Sequence, residues 1–158
     1  MQQVKSKKRV ADHGEVFTSE REVSAMLDLV KQETDRVDSK FLEPACGTGN
    51  FLAEILRRKM EVVVRRYKGN QHDFERNSIT AISSIYGVDI LRDNTIECRE
   101  RLFKIFDEIY IKIYKKKTKD KVRDTVQFIL QRNIVLGDAL SLETVDDIPK
   151  PIIFSEWS

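Results

Sequence analysis

The sequence predicts an α/β domain built on a doubly wound, mostly parallel sheet. Short apolar runs typical of buried strands alternate with longer segments whose apolar residues recur at helical spacing, and this alternation favours a parallel sheet with packed helices. The chain has 158 residues, enough for one domain and hardly for two. Hydrophobic residues make up 41% and charged residues 34%, which is typical of a globular protein rather than a disordered one.

The first fifteen residues are polar and basic, and they predict a mobile N-terminal arm at residues 1–15. They contain no apolar stretch of the kind that a secretory signal has. The domain is therefore expected at residues 16–158. Its first helix is expected to follow Ser19 and to reach Lys31, because Ser19 and Glu22 have the spacing of a capping box.

The middle of the chain predicts two strands and the helices between them. A short buried strand at 41–42 is followed, after a glycine-rich turn, by a helix over 51–67. The polar segment 68–73 is expected to break that helix. A short helix over 78–85 then precedes a strand over 86–90.

The last third predicts two more helices and two more strands. A long helix after residue 90 is expected to end at Lys115–Lys117, where cations suit the negative end of the helix dipole. A helix over 120–132 leads into a strand at 134–136, and residues 151–154 are expected to form a last strand. Since the chain stops four residues later, the sheet is expected to be incomplete at its C-terminus.

The most distinctive stretch is the string E-P-A-C-G-T-G-N-F at residues 43–51. Two glycines spaced two apart let a strand turn sharply into a helix while the backbone comes close to a ligand. Glu43 falls at the carboxyl end of the strand, where open α/β sheets bind nucleosides. A pair of glycines alone is commonly only a turn, so the complete string carries the prediction.

This string resembles the S-adenosylmethionine-binding motif of N6-adenine DNA methyltransferases of bacterial restriction–modification systems. The resemblance implies a Rossmann-like methyltransferase fold, S-adenosylmethionine as cofactor, and DNA and a restriction or specificity subunit as partners of the intact protein. It implies cofactor contacts from the matching positions, which are Glu43, Pro44, Ala45, Cys46, Gly47, Gly49, Asn50 and Phe51.

The segment just upstream of this motif adds to the resemblance. His13 to Ser19 is similar to the segment that these methyltransferases place before the glycine motif. In the family, a Phe-Thr pair there lies against the methionine part of the cofactor, which implies that role for Phe17 and Thr18. The alternative is a loop with a helix cap and one buried phenylalanine.

Two further acidic residues follow predicted strands. Asp89 is expected to accept the ribose hydroxyls, and the resemblance implies that Ile90 packs on the adenine. The resemblance also implies that Asp138 accepts the adenine amine and that the backbone N–H of Ala139 meets a ring nitrogen. The alternatives are a helix cap for Asp89 and a strand-end cap for Asp138.

No catalytic residue is assigned. The family carries Asn/Asp-Pro-Pro-Tyr/Phe after its fourth strand, and this chain has three prolines, none of them adjacent. Ser155-Glu156-Trp157 offers an acceptor and an aromatic ring without the rigid proline turn that would aim the acceptors. No metal site is expected either, because the two cysteines and two histidines lack the spacing of ligands.

These patterns predict the cofactor-binding part of an adenine-N6 DNA methyltransferase, inactive by itself. The alternatives are a non-catalytic S-adenosylmethionine-binding subunit and a methyltransferase acting on RNA or protein. The net charge of +2 neither demands nor excludes a nucleic-acid partner. Lys115–Lys119 is either a solvated helix end or a DNA contact. With no membrane-spanning run and two unpaired cysteines, a cytoplasmic protein is expected.

Overall fold

The computed structural model describes residues 4–13 and 15–157 and shows a mixed α/β fold. Along the chain, the helices are α1 (Lys7–His13), α2 (Glu20–Asp28), α3 (Lys31–Thr34), α4 (Asn50–Tyr67), α5 (Gln71–Ser83), α6 (Arg92–Tyr114) and α7 (Asp120–Asn133). The strands are β1 (Phe41–Glu43), β2 (Ile85–Asp89), β3 (Ile134–Asp138) and β4 (Glu143–Thr144).

The sheet is mostly parallel, as the sequence predicts. Strands β1, β2 and β3 lie side by side in that order and run parallel, and β4 pairs antiparallel with β3. Glu43 lies opposite Gly87, and Asp89 lies opposite Leu136. Because the carboxyl ends of parallel strands meet at one edge of a sheet, Glu43, Asp89 and Asp138 come together there.

Helices α4 to α7 pack on one face of the sheet and form the core with it. Their contact with the sheet is close at Gly87, where a Cβ would lie 2.9 Å from Leu52 Cδ1 and 3.0 Å from Cys46 Sγ. The long apolar helix faces that the sequence shows are buried here, including Leu102, Phe106 and Tyr110 of α6. Burial of these faces is the main stabilising contribution.

The opposite face differs from the doubly wound arrangement that the sequence predicts, because residues 151–157 cover it rather than a helix. The Phe154 ring packs edge-on against Tyr86 with the ring centroids 5.3 Å apart, and Tyr86 Oη donates to the Ser155 carbonyl at 2.9 Å. Leu42, on the same face of β1, is 57% exposed. This face is therefore only partly covered by the described residues.

Two local predictions are wrong. Residues 151–154 do not form a strand: Pro151 makes an isolated bridge with Glu143, and proline has no N–H to donate to a ladder. The interruption between helices that was predicted at 68–73 is shorter, because α5 already begins at Gln71. The Asn70 side chain accepts a hydrogen bond from Asp73 N and caps this helix. Residues 1–15, expected to form a mobile arm, contain α1 at Lys7–His13, and Met1–Gln3 and Gly14 lie outside the described residues.

Other predictions are confirmed. Ser19 and Glu22 form the capping box at the start of α2, although that helix ends at Asp28 and α3 follows. Helix α4 ends at Tyr67, and α6 is closed by a 3-10 turn at Lys115–Lys117. In the described part of the chain, no helix combines the length and apolarity needed to cross a membrane.

Lys59 of α4 is fully buried and joins three segments at the amino end of the strands. Its Nζ donates to the carbonyls of Val37 and Ser39 and to Ser84 Oγ, and it lies 5.2 Å from the centroid of the Phe41 ring. Burial lowers the pKa of Lys59 to about 7. Above that pH the folded protein favours the uncharged amine, which can donate only two of these three hydrogen bonds, whereas the unfolded chain still carries its proton.

We expect the free energy of unfolding to rise with pH above about 7 because of Lys59. Between its folded pKa of about 7 and its ordinary value of 10.5, only the unfolded chain binds the proton, so a higher pH favours folding. The slope contributed by one group is at most about 1.4 kcal/mol per pH unit.

Urea titrations from pH 7 to 9 on the wild type and on Lys59→Met measure this slope. The variant should lose the rise whatever its absolute stability, since all other titrating groups are shared. An equal slope in both proteins would show that Lys59 stays charged in the folded state.

Candidate functional site

The glycine turn, residues 44–49, joins β1 to α4. Gly47 and Gly49 have φ angles of +53° and +87°, the left-handed region that favours glycine. Cys46 N donates to the Val88 carbonyl at 2.9 Å, which fixes the turn to β2. The backbone can therefore reverse beside the carboxyl edge of the sheet with no Cβ at the two tightest positions.

Asp89 holds this turn against the end of β2. Its Oδ2 accepts from Gly47 N at 2.9 Å, and its Oδ1 accepts from Leu91 N at 2.9 Å and from Asn94 Nδ2 at 3.2 Å. A carboxylate offers about four acceptor positions. Three of them are used within the protein, which leaves one position for a ligand. The N-cap residue of α6 is Leu91, so Asp89 is not the helix cap that the sequence left open as an alternative.

The two cysteines lie in contact beneath the turn. Both are buried, and a Cβ on Gly49 would lie 2.7 Å from Cys98 Sγ of α6. The hydrogen bond to the Cys98 thiol, together with burial, raises the pKa of Cys46 far above its ordinary range. Cys46 is therefore a packing residue and not an activated nucleophile.

Phe17 and Thr18 lie beside the glycine turn and the start of α4. A Cβ on Gly47 would lie 3.1 Å from Phe17 Cε1, so the ring is in close contact with that backbone. Asn50 Nδ2 donates to the Thr18 carbonyl at 2.8 Å, and Asn50 Oδ1 accepts from Arg101 at 2.6 Å. The segment before α2 is thus bonded to the first residue of α4.

A cleft of about 630 Å³ lies along the carboxyl edge of β1, β2 and β3. Its volume is within the range of small-molecule sites. The structure brings nearly all of the sequence-predicted site residues to its wall, namely Phe17, Thr18, Glu43, Pro44, Ala45, Cys46, Gly47, Asn50, Phe51, Asp89, Ile90, Asp138 and Ala139. Gly49 is the exception, because it packs beneath the turn on Cys98.

Asp138 forms the far end of the cleft and also closes its own turn. Its Oδ1 accepts from Leu140 N at 2.8 Å, and its carbonyl accepts from Leu142 N at 2.8 Å. The strand-end cap is therefore present, and the second carboxylate oxygen has no protein hydrogen bond among the described residues. Ile90, which follows Asp89, is 43% exposed toward the cleft.

The charge of the cleft wall is strongly one-sided. Five acidic side chains line it, Asp12, Glu15, Glu43, Asp89 and Asp138, and among the described lining residues there is neither lysine nor arginine. Burial raises the pKa of Glu43, because its carboxylate loses hydration, and no lysine or arginine of the described wall compensates for that loss. A cationic ligand would supply that missing charge, whereas phosphate groups would be repelled.

Sequence reasoning missed the N-terminal side of the cleft. Asp12 and Glu15 belong to the segment predicted as a mobile arm, and Asn94 lies in the first turn of α6. The only local signal was the position of Glu15 inside the string His13 to Ser19. The contact between Arg9 and Asp93 joins residues 84 positions apart, so no sequence periodicity indicates it.

The segment Ser155-Glu156-Trp157 lies away from this cleft. Glu156 accepts from Lys40 Nζ at 2.8 Å, just before β1, and Trp157 Nε1 donates to Asn133 Oδ1 at 2.8 Å, just before β3. Both contacts are at the amino edge of the strands, where a second groove of about 700 Å³ opens. These residues therefore do not reach the carboxyl edge.

Comparisons with protein-family models, with curated proteins and with solved structures give no match for this chain. Among residues 4–13 and 15–157, no three His, Cys, Asp or Glu side chains are grouped so that they could hold a metal ion.

We expect Gly49→Ala to destabilise the protein by about 2–4 kcal/mol, because the new Cβ meets both a left-handed backbone and the Cys98 thiol. Gly69→Ala, where a Cβ would meet nothing within 4 Å, is the matched control and should change stability by less than about 0.5 kcal/mol.

Denaturant unfolding of Gly49→Ala in a Cys98→Ala background separates the two causes. The thiol clash should disappear and the backbone cost of about 1–2 kcal/mol should remain. Equal stability of the two single glycine variants would contradict the described packing.

Proposed function

We propose that the cleft binds S-adenosylmethionine and that this chain is the cofactor-binding part of an adenine-N6 DNA methyltransferase with a Rossmann-like fold. The observation that carries the proposal is a glycine turn opening α4 beside a cleft lined by five carboxylates and, in the described wall, no basic side chain except His13. The sequence resemblance supplies the reaction, the DNA substrate and the restriction–modification context.

The charge of the wall supports this cofactor over the other nucleotides that α/β sheets bind. S-adenosylmethionine carries a sulfonium and an ammonium against one carboxylate, so its net charge is positive. Dinucleotides and nucleoside triphosphates carry phosphates, which need cations or free backbone N–H groups nearby. Glu43 and Asp138, on either side of Asp89, would repel a pyrophosphate lying along the edge.

In this proposal the cofactor lies across the three strand ends. The methionine part contacts Phe17, Thr18 and Glu43, and its carboxylate faces the N-terminus of α4, where free N–H groups and the helix dipole favour an anion. The adenosine lies toward Ile90 and Asp138. Asp89 offers the ribose one acceptor position, since its other three are taken by the protein.

A second candidate is a non-catalytic S-adenosylmethionine-binding subunit whose partner supplies the acceptors for the target amine. One observation favours it: Ser155-Glu156-Trp157, the only string that the sequence offered as a substitute, is bonded at the opposite edge of the sheet. Both candidates share the cofactor site and differ in where the transfer step is completed.

We expect S-adenosylmethionine to bind the isolated chain and NAD⁺ and ATP to bind at least about tenfold more weakly, because carboxylates line the cleft. Isothermal titration at micromolar to millimolar ligand measures this. Gly47→Val should remove binding, since the side chain would enter the space of Phe17. Equal heats for all three ligands, or no difference in Gly47→Val, would contradict the proposed site.

We expect the chain alone not to methylate DNA, because transfer needs an amine aimed at the methyl carbon and a misplacement of ~1 Å can cost about a hundredfold in rate. The assay is incorporation of labelled methyl groups into unmethylated duplex and single-stranded DNA. Glu156→Ala is the control: incorporation by the wild type that this variant abolishes would show that the C-terminal segment moves to the cleft and acts there.

A further inference from the structure

Glu15 has a carboxylate oxygen that nothing in the described protein satisfies. Its side chain is only 9% exposed and lines the cleft. Oε2 is paired with Arg9 Nε, whereas Oε1 is buried and has no hydrogen-bond partner. Burying an unpaired acceptor on a charged group is costly, so such an atom in the wall of a cleft indicates a partner that binds there.

Lys5 and Arg9 form ion pairs with Asp93 and Glu97 of α6, and these are called the N-terminal ion pairs. They lie outside the cleft and fix the position of Glu15. Arg9 Nη1 lies 2.6 Å from Asp93 Oδ2, and Lys5 Nζ lies 3.0 Å from Glu97 Oε2. Helix α1 has seven residues and no buried side chain, so neither its own hydrogen bonds nor apolar packing would hold it. These charged contacts are what places Glu15.

We propose that Glu15 is a further cofactor-binding residue, whose free Oε1 accepts a hydrogen bond from the ammonium group of the methionine part of S-adenosylmethionine. The N-terminal ion pairs hold the carboxylate in this position. This inference rests on the proposed function, and it adds a residue from the segment that the sequence predicted to be a mobile arm.

The ammonium is the donor that fits best for two reasons. A buried carboxylate gains most from a partner of opposite charge, and hydrogen bonds between charged groups are the strongest that proteins make. Glu15 also precedes Phe17 by two residues, at most about 7 Å of chain, and Phe17 packs on Gly47. The adenosine donors belong to the other end of the cleft, beside Asp138.

The inference is tested by measuring the affinity of the wild type and of Glu15→Gln, each as the intact chain, for three ligands. S-adenosylmethionine has the ammonium and the sulfonium, S-adenosylhomocysteine has the ammonium alone, and 5′-methylthioadenosine has neither. Because the variant removes the charge and keeps the shape, affinity for the first two should fall about 10- to 100-fold. Affinity for 5′-methylthioadenosine should be unchanged. Glu61→Gln, an exposed position on α4, is the matched control and should bind all three as the wild type does.

Each other result overturns the inference. Equal loss for all three ligands would assign Glu15 to the adenosine end or to folding, and loss for S-adenosylmethionine alone would assign it to the sulfonium. No loss for any ligand would remove Glu15 from the site. A wild type that binds none of the three would instead refute the proposed function, and the inference with it.

Arg9→Gln provides a second variant if Glu15→Gln does not fold. It removes the cation that orients Glu15. The affinities for S-adenosylmethionine and S-adenosylhomocysteine should therefore fall by the same factor, smaller than in Glu15→Gln, and the affinity for 5′-methylthioadenosine should be unchanged. Wild-type affinity for all three ligands in this variant would contradict the role of the ion pairs.

Discussion

The Asp89 carboxylate is the constraint on which the rest of the site depends. It accepts hydrogen bonds from three segments, through Gly47 N of the glycine turn, Leu91 N after β2 and Asn94 Nδ2 in the first turn of α6. Asn94 in turn accepts from Lys5 through its Oδ1. One side chain therefore connects the turn on one side of the cleft with the N-terminal segment on the other, and a change in its position would move both.

The charges around the cleft are arranged in two layers. Lys5 and Arg9 pair with Asp93 and Glu97 outside it, and Arg9 also pairs with one oxygen of Glu15. The inner carboxylates, Glu43 and Asp138, have no such cation among the described residues. The basic N-terminal segment therefore closes the wall of the cleft without neutralising the carboxylates inside it.

The sequence predicts features that depend on a few neighbouring residues. It does not predict which distant segments come into contact. The capping box at Ser19, the glycine turn and the helix faces follow from spacing over a few residues, and the structure has all of them. The cap at Asn70 was also local, but its polar neighbours resemble a loop, so α5 was predicted too short. Helix α1 could not be predicted as part of the site, because the ion pair that joins its Arg9 to α6 is with Asp93, 84 positions away.

The course of the C-terminal segment, residues 151–157, keeps it away from the cleft. An apolar run after β4 predicts a strand, but Pro149 and Pro151 lack the N–H groups that a ladder needs, and the segment instead crosses the open face of the sheet. It is fastened at the amino edge by Tyr86 with Ser155 and by Lys40 with Glu156. The described cleft wall comes from the ends of β1, β2 and β3, the segments that follow them and the N-terminal segment, so a ligand can be held there without residues 151–157. Under the proposed function, acceptors for a target amine would then approach from the side of the cleft that α1 does not cover, because displacing α1 would also withdraw Glu15 from the wall.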